Sequence, residues 1–166
     1  MVVRMALGGA LAAACALCGR SMAGAARRRA ATLASLTSGL RALRLRMMSL
    51  FEPVQAGLSA SDCPLLRQIA DGMKDGGGAG EAWTALSRHR GRGAMDCLSI
   101  EDRRILEALF DRLGESGREA QELLLSGAVQ ALDAQCVEAK KCAAEAERLY
   151  VTLGLLIGLM LALVIG

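Results

Sequence analysis

Residues 116–166 read SGREAQELLLSGAVQALDAQCVEAKKCAAEAERLYVTLGLLIGLMLALVIG, and this stretch decides the fold. It contains no proline, and after Glu119 only Gly127 interrupts it before the final apolar run. Leu125, Val129, Leu132, Cys136, Ala139, Ala143, Ala146 and Tyr150 recur in steps of four and three, which is a heptad seam. Ser116 stands three residues before Glu119, the spacing of a capping box. The stretch therefore predicts one long helix from Ser116 into the apolar tail. Alanine at the later seam positions allows close antiparallel packing, and the basic helix near the N-terminus is the natural partner. Glu138, Lys141, Glu145 and Arg148 then face water or partners.

Upstream, Leu33, Leu36, Leu40, Leu43, Met47 and Leu50 form an apolar stripe at helical spacing on an otherwise basic segment. Pro53 suits the first turn of a short helix, and a second start follows at residues 62–64. That run decays at Asp71 and Gly72, and residues 75–80 are almost all glycine. The next helix carries Trp83 and Leu86 and ends in an Arg- and Gly-rich segment from Arg88 to Gly93. Ser99 and Asp102 form another capping box, followed by Leu106, Leu109, Phe110 and Leu113 on one face and a stop at Gly114. The chain has 53% hydrophobic residues but only 2% aromatic ones, and two prolines. With few β-branched residues outside the tail, no sheet is expected. The fold class is all-α, a helical bundle of about five to six helices built from Leu, Ala, Val, Ile and Met.

Two charge-free runs, residues 5–19 and 151–166, approach the length that crosses a hydrocarbon core of roughly 30 Å. Arg4 and Arg20 can snorkel from the ends of the first, and Tyr150 stands where an interfacial ring sits at the start of the second. The expected organisation is an N-terminal transmembrane anchor over 1–25, a cytoplasmic helical domain over 26–148 and a C-terminal transmembrane helix over 149–166. Arg27-Arg28-Arg29 after the first run, with Lys140, Lys141 and Arg148 before the second, places the domain on the cytoplasmic side of a two-pass protein. A competing reading treats the first run and Ala23-Gly24-Ala25 as a cleaved signal peptide of an exported protein. Gly154 and Gly158, like Gly9 and Ala13, have the small-xxx-small spacing that lets membrane helices approach closely. These faces would pair the two anchors, a partner's anchor or copies in a homo-oligomer; a helix that merely tolerates glycine has the same spacing.

The residues offer little for catalysis. The formal charge of +3 is mild, and no basic stripe with interleaved aromatics argues for nucleic acid. Cys15 and Cys18 form a CxxC inside an apolar run, without the context of a redox motif or further ligands for zinc, so a reduced compartment is the simpler reading. Gly76-Gly77-Gly78 runs on to Ala79-Gly80-Glu81 without the Lys-Ser/Thr of a phosphate loop. His89, the one histidine, lies among Arg88, Arg90 and Arg92 and reads as a solvated loop residue. Glu101, Asp102 and Glu115 are the only acids placed for catalysis, and carboxylates at helix starts ordinarily cap. The chain reads as a non-enzyme with no cofactor and no metal. Its candidate partner interface is the turn carrying Leu113, Gly114, Ser116 and Gln121 with the glycine-flanked Trp83 helix. Two plainer readings stay open: Trp83 as core and Gly114 as a helix stop.

Several strings carry a resemblance. Ser99-Ile100-Glu101-Asp102 through Ile105-Leu106, Phe110, Leu113-Gly114-Glu115-Ser116 and Gln121, with Glu81-Ala82-Trp83, residues 53–58, Tyr150, Leu153-Gly154 and Gly158, resemble the stage III sporulation protein AB family over essentially the whole chain. Gly117 stands where that family usually has Asp, and Leu45-Arg46-Met47-Met48 replaces an acidic stretch at the end of its first long helix. The resemblance implies a component of the channel between mother cell and forespore in endospore formation, set in the mother-cell membrane. It implies a soluble domain like that of the inner-membrane platform protein of type II secretion and type IV pilus systems. The implied partners are a secretion-type sporulation ATPase, like stage III sporulation protein AA, and other channel subunits.

Overall fold

The computed structural model of the chain describes the backbone of residues 2–74, 76–88, 94–115 and 117–165. Side chains are described over 24–74, 76–88, 95–115 and 117–150, and at Thr152, Leu153, Leu156 and Met160. Among the described residues six α-helices run in the order α1 (Val2–Leu45), α2 (Val54–Ser59), α3 (Pro64–Gly72), α4 (Ala79–Arg88), α5 (Ile100–Phe110) and α6 (Arg118–Ile165). A π-helical turn, Arg46–Leu50, extends α1, and a 3₁₀ turn, Ala94–Cys97, precedes α5. Among the described residues there is no strand, and no helix is long and apolar enough to cross a membrane.

The chain divides into two compact units, Met1–Arg28 with Glu138–Gly166, and Arg29–Val137. In the first, Ala139 and Ala143 are buried and Arg27 pairs with Glu147 at 2.5 Å, both side chains more than half exposed. Gly9, Ala13, Gly154 and Gly158, the expected membrane-packing residues, lie outside the described side chains.

The Arg29–Val137 unit holds the main core. Leu33, Leu36, Leu40 and Leu43 of α1 are fully buried, as their three-and-four spacing requires. Leu58, Leu65, Leu66 and Ile69 from α2 and α3, Leu106, Leu109 and Phe110 from α5, and Leu125 and Leu132 from α6 complete it. At about 2 kcal/mol per buried leucine side chain, this packing outweighs any difference in helix propensity along the chain. The α1–α6 packing within this unit is antiparallel, since Arg41 bonds Asp133 and Arg44 bonds Glu122 at 2.8 Å. Gly39 marks a close approach of α1 to its neighbours. A Cβ there would lie 2.6 Å from Leu66 Cδ1 and 2.7 Å from Ser61 Oγ, so any side chain would displace those neighbours.

One expectation needs correction. The apolar stripe of α1 does not extend to Leu50, which is 62% exposed, while Met47 is half-buried. The π-helical turn closes i→i+5 bonds, so each residue there advances by a smaller angle and Leu50 leaves the face that Leu43 occupies. At the start of α6 the Gly117 carbonyl accepts from the Gln121 amide at 3.0 Å. Ser116, the expected cap, lies outside the described residues.

Candidate functional site

The polar centre of the Arg29–Val137 unit forms where α5 begins. Ser99, with extended backbone, accepts the Asp102 amide on Oγ at 3.1 Å, and Asp102 Oδ2 accepts the Ser99 amide at 2.8 Å. This is the capping box that the spacing predicts, and it satisfies two donors a helix start would otherwise leave open. Asp102 is fully buried because it also takes a charge partner from α1. Arg29 donates through Nε to Oδ2 at 2.8 Å and through Nη2 to Oδ1 at 2.9 Å, a bidentate fork. The same Nη2 reaches Ser99 Oγ at 3.1 Å and Gln135 Oε1 of α6 at 2.9 Å. Burial pushes the Asp102 carboxyl up, but the Arg29 and Ser99 hydrogen bonds outweigh it and hold the group below its ordinary value of 3.8. Three hydrogen bonds, two on Oδ2 and one on Oδ1, hold this carboxylate in its charged form. Asp102 is a structural tie among three helices, and Glu101 and Glu115 are exposed on the surface.

Arg29 was legible only as part of a basic triplet. Yet it stands four residues before Leu33, on the buried stripe, and an arginine on an apolar face signals a buried partner. Gln135, next to Cys136 of the seam, had no comparable signal.

The expected contact residues fall on two sides of the turn over 111–115. Trp83 is 3% exposed, its ring 5.4 Å from that of Phe110 and tilted by 31°, so the core reading of this indole is the one realised. Leu113 is buried and lines an open pocket of about 590 Å³ between the start of α4 and the end of α5, with Gly80, Glu81, Asp111 and Glu115 among its walls. Gly114 is exposed and has φ +96°, a left-handed backbone that glycine adopts without strain. Gln121 is buried, and its side-chain amide donates to the Arg112 carbonyl at 3.4 Å. Gly114 and Gln121 share a second pocket, of about 270 Å³, with Met47, Met48, Phe51, Glu52, Pro53, Val54 and Arg118.

That second pocket contains residues the sequence reading missed. Phe51 ends the π-helical turn with φ +56°, the single non-glycine positive φ among the described residues, and is 73% exposed. The Arg118 guanidinium lies 4.2 Å from the ring centroid of Phe51, and its Nη2 also donates to the Met48 carbonyl. Neither residue lies on an apolar stripe or in a motif, so periodicity carried no sign of them.

Comparison with known proteins completes the picture. The model of the family described as stage III sporulation protein AB matches residues 4–165. A solved structure titled "Stage III sporulation protein AB (SpoIIIAB)" is similar with a TM-score of 0.58 and 19% identity, covering 70% of this chain and 96% of that one. At that identity the likeness shows the fold alone. A search of the curated proteins returns no match. A family match over nearly the full length, on an all-helical fold whose α5 capping box and Trp83 helix stand where the resemblance put them, makes this chain a member of the stage III sporulation protein AB family.

Proposed function

We propose that this chain is a non-enzymatic membrane component of the channel complex between mother cell and forespore, where its helical domain docks a secretion-type ATPase and other channel subunits. The carrying observation is the family match over residues 4–165. Asp102, the one buried acid that the sequence offered as a catalyst, is used up in a helix cap and an ion pair, which supports the structural reading. The alternative face, the turn over 111–115, presents open pockets on both sides and suits protein contact.

The charge-free runs at 5–19 and 151–166 would serve as anchors in the mother-cell membrane, with the domain over 26–148 in the cytoplasm. The run of α1 without a break through Ala23-Gly24-Ala25 supports a retained anchor, because a signal peptidase acts on extended chain. Cys142 is exposed and reports on sidedness. In intact mother cells a membrane-impermeant maleimide should leave it unlabelled and should label it after lysis; labelling in intact cells would reverse the topology. The partner claim is tested with the full chain in detergent against the purified secretion-type ATPase of the host's stage III system. Co-elution supports it, and failure to co-elute in the presence or absence of nucleotide overturns ATPase docking.

A further inference from the structure

The aromatic residues of this chain number four, and among those described Trp83 and Phe110 are core and Tyr150 is half-buried. Phe51 alone is set out in water, 73% exposed, and on a backbone that disfavours any side chain. Folding alone does not call for either feature, since glycine would close the π-helical turn with less strain and expose no ring. Arg118 adds an independent observation. It reaches across from α6, stacks on the Phe51 ring and bonds the Met48 carbonyl, holding the ring in place. Among the described residues no carboxylate pairs with it, and two of the acids nearby pair elsewhere, Glu52 with Arg46 at 3.4 Å and Glu122 with Arg44 at 2.8 Å. The pocket beside it has apolar walls from Met47, Met48 and Val54, and its one acidic wall, Glu52, is the residue paired with Arg46. A fixed ring, an apolar recess and one uncompensated cation at its rim define the complement: an apolar side chain next to a carboxylate.

We propose that Phe51 and Arg118 form a docking point for a segment of a partner protein that carries a carboxylate beside an apolar side chain. The proposal rests on the scaffold reading but does not require that the partner be the ATPase. The aromatic ring and the recess supply buried area, and the guanidinium supplies orientation through a charge-assisted bond.

The test uses the full chain in detergent and an array of overlapping peptides covering the host's stage III channel proteins and ATPase. Peptides joining acidic and apolar residues should bind, and Arg118→Glu should weaken them about tenfold or more, as truncation of a central anchor does. Phe51→Gly should weaken the same peptides while leaving the melting temperature equal or higher, a combination that misfolding cannot produce. Neutralising the peptide carboxylate should match the loss from Arg118→Glu. The proposal falls if no peptide binds, if the bound peptides lack acids, or if both variants bind them as the parent does. It falls as well if Arg118→Glu abolishes binding to phosphatidylglycerol vesicles and not to peptides, which would assign the site to lipid. Loss of ATPase co-elution with peptide binding intact would sink the ATPase reading alone.

Discussion

The Arg29–Asp102 contact and the Phe51–Arg118 contact both set an arginine of a long helix against a residue on another element, yet the two are turned in opposite directions. In the first a charge pair goes inside, where Asp102 is fully buried and Arg29 is 22% exposed at its side chain. In the second an aromatic ring stays outside. Burying a charge is costly unless a partner charge and hydrogen bonds compensate it, and the fork, the capping box and Gln135 supply them. Exposing a ring on a left-handed backbone costs strain that its stacking on Arg118, worth about 0.5–1 kcal/mol at an exposed site, only partly offsets, so its retention points to contact with something else. Residue type alone is a poor guide to role; the completeness of a residue's partners is a better one.

The sharpest way to break this comparison is to remove the aromatics one at a time. Trp83→Ala should cost about 4 kcal/mol through the cavity it leaves beside Phe110, whereas Phe51→Ala should stay within about 0.5 kcal/mol in chemical unfolding of the solubilised chain. Equal costs would mean that Phe51 is a structural residue. Among the acids, Asp102→Ala should cost about 3 kcal/mol because it strands Arg29 and removes the cap, while Asp133→Ala, which frees only the exposed Arg41, should cost under about 1 kcal/mol. Replacing Arg29 with Met in the Asp102→Ala background should recover part of the loss, since the stranded charge is then gone.

Acid sharpens the same contrast. Asp102 holds its proton less tightly folded than unfolded, so its contribution is present above the ordinary carboxylate value of 3.8 and is lost as pH falls from there through the depressed one. Stability should therefore drop more steeply below about pH 4 in the parent than in Asp102→Asn, and parallel curves would show that the tie is not titrating. The smallest effects are backbone ones of opposite sign. Gly114→Ala should cost about 1 kcal/mol by placing a Cβ on a left-handed residue, and Phe51→Gly should gain about as much by removing one.

Much of the bundle was legible. Ser99 with Asp102 announced α5, Pro64 opened α3 at its first position, and glycine at 76–78 separated α3 from α4, because each is a local rule acting within one turn of chain. The stripe of Leu33, Leu36, Leu40 and Leu43 was legible because burial follows helical period. Leu50 was not, because a π-helical turn changes that period without a residue to mark it. Of the expected contact residues, Gly114 is on the surface, while Trp83, Leu113 and Gln121 turn inward; a hot-spot residue type and a core residue type are the same type when the side chain is Trp or Leu.

By itself, then, the sequence determined that the chain is helical, where most helices begin and end, and which face of α1 and of α6 is buried. Those properties depend on neighbours three or four residues away. Only the tertiary structure decided that Arg29 meets Asp102, 73 residues further on, and that Arg118 holds the Phe51 ring and also the carbonyl of Met48, which stands 70 residues before Arg118. Such pairs join helices whose relative register is set by the packing of the whole Arg29–Val137 core, and no local period carries that information.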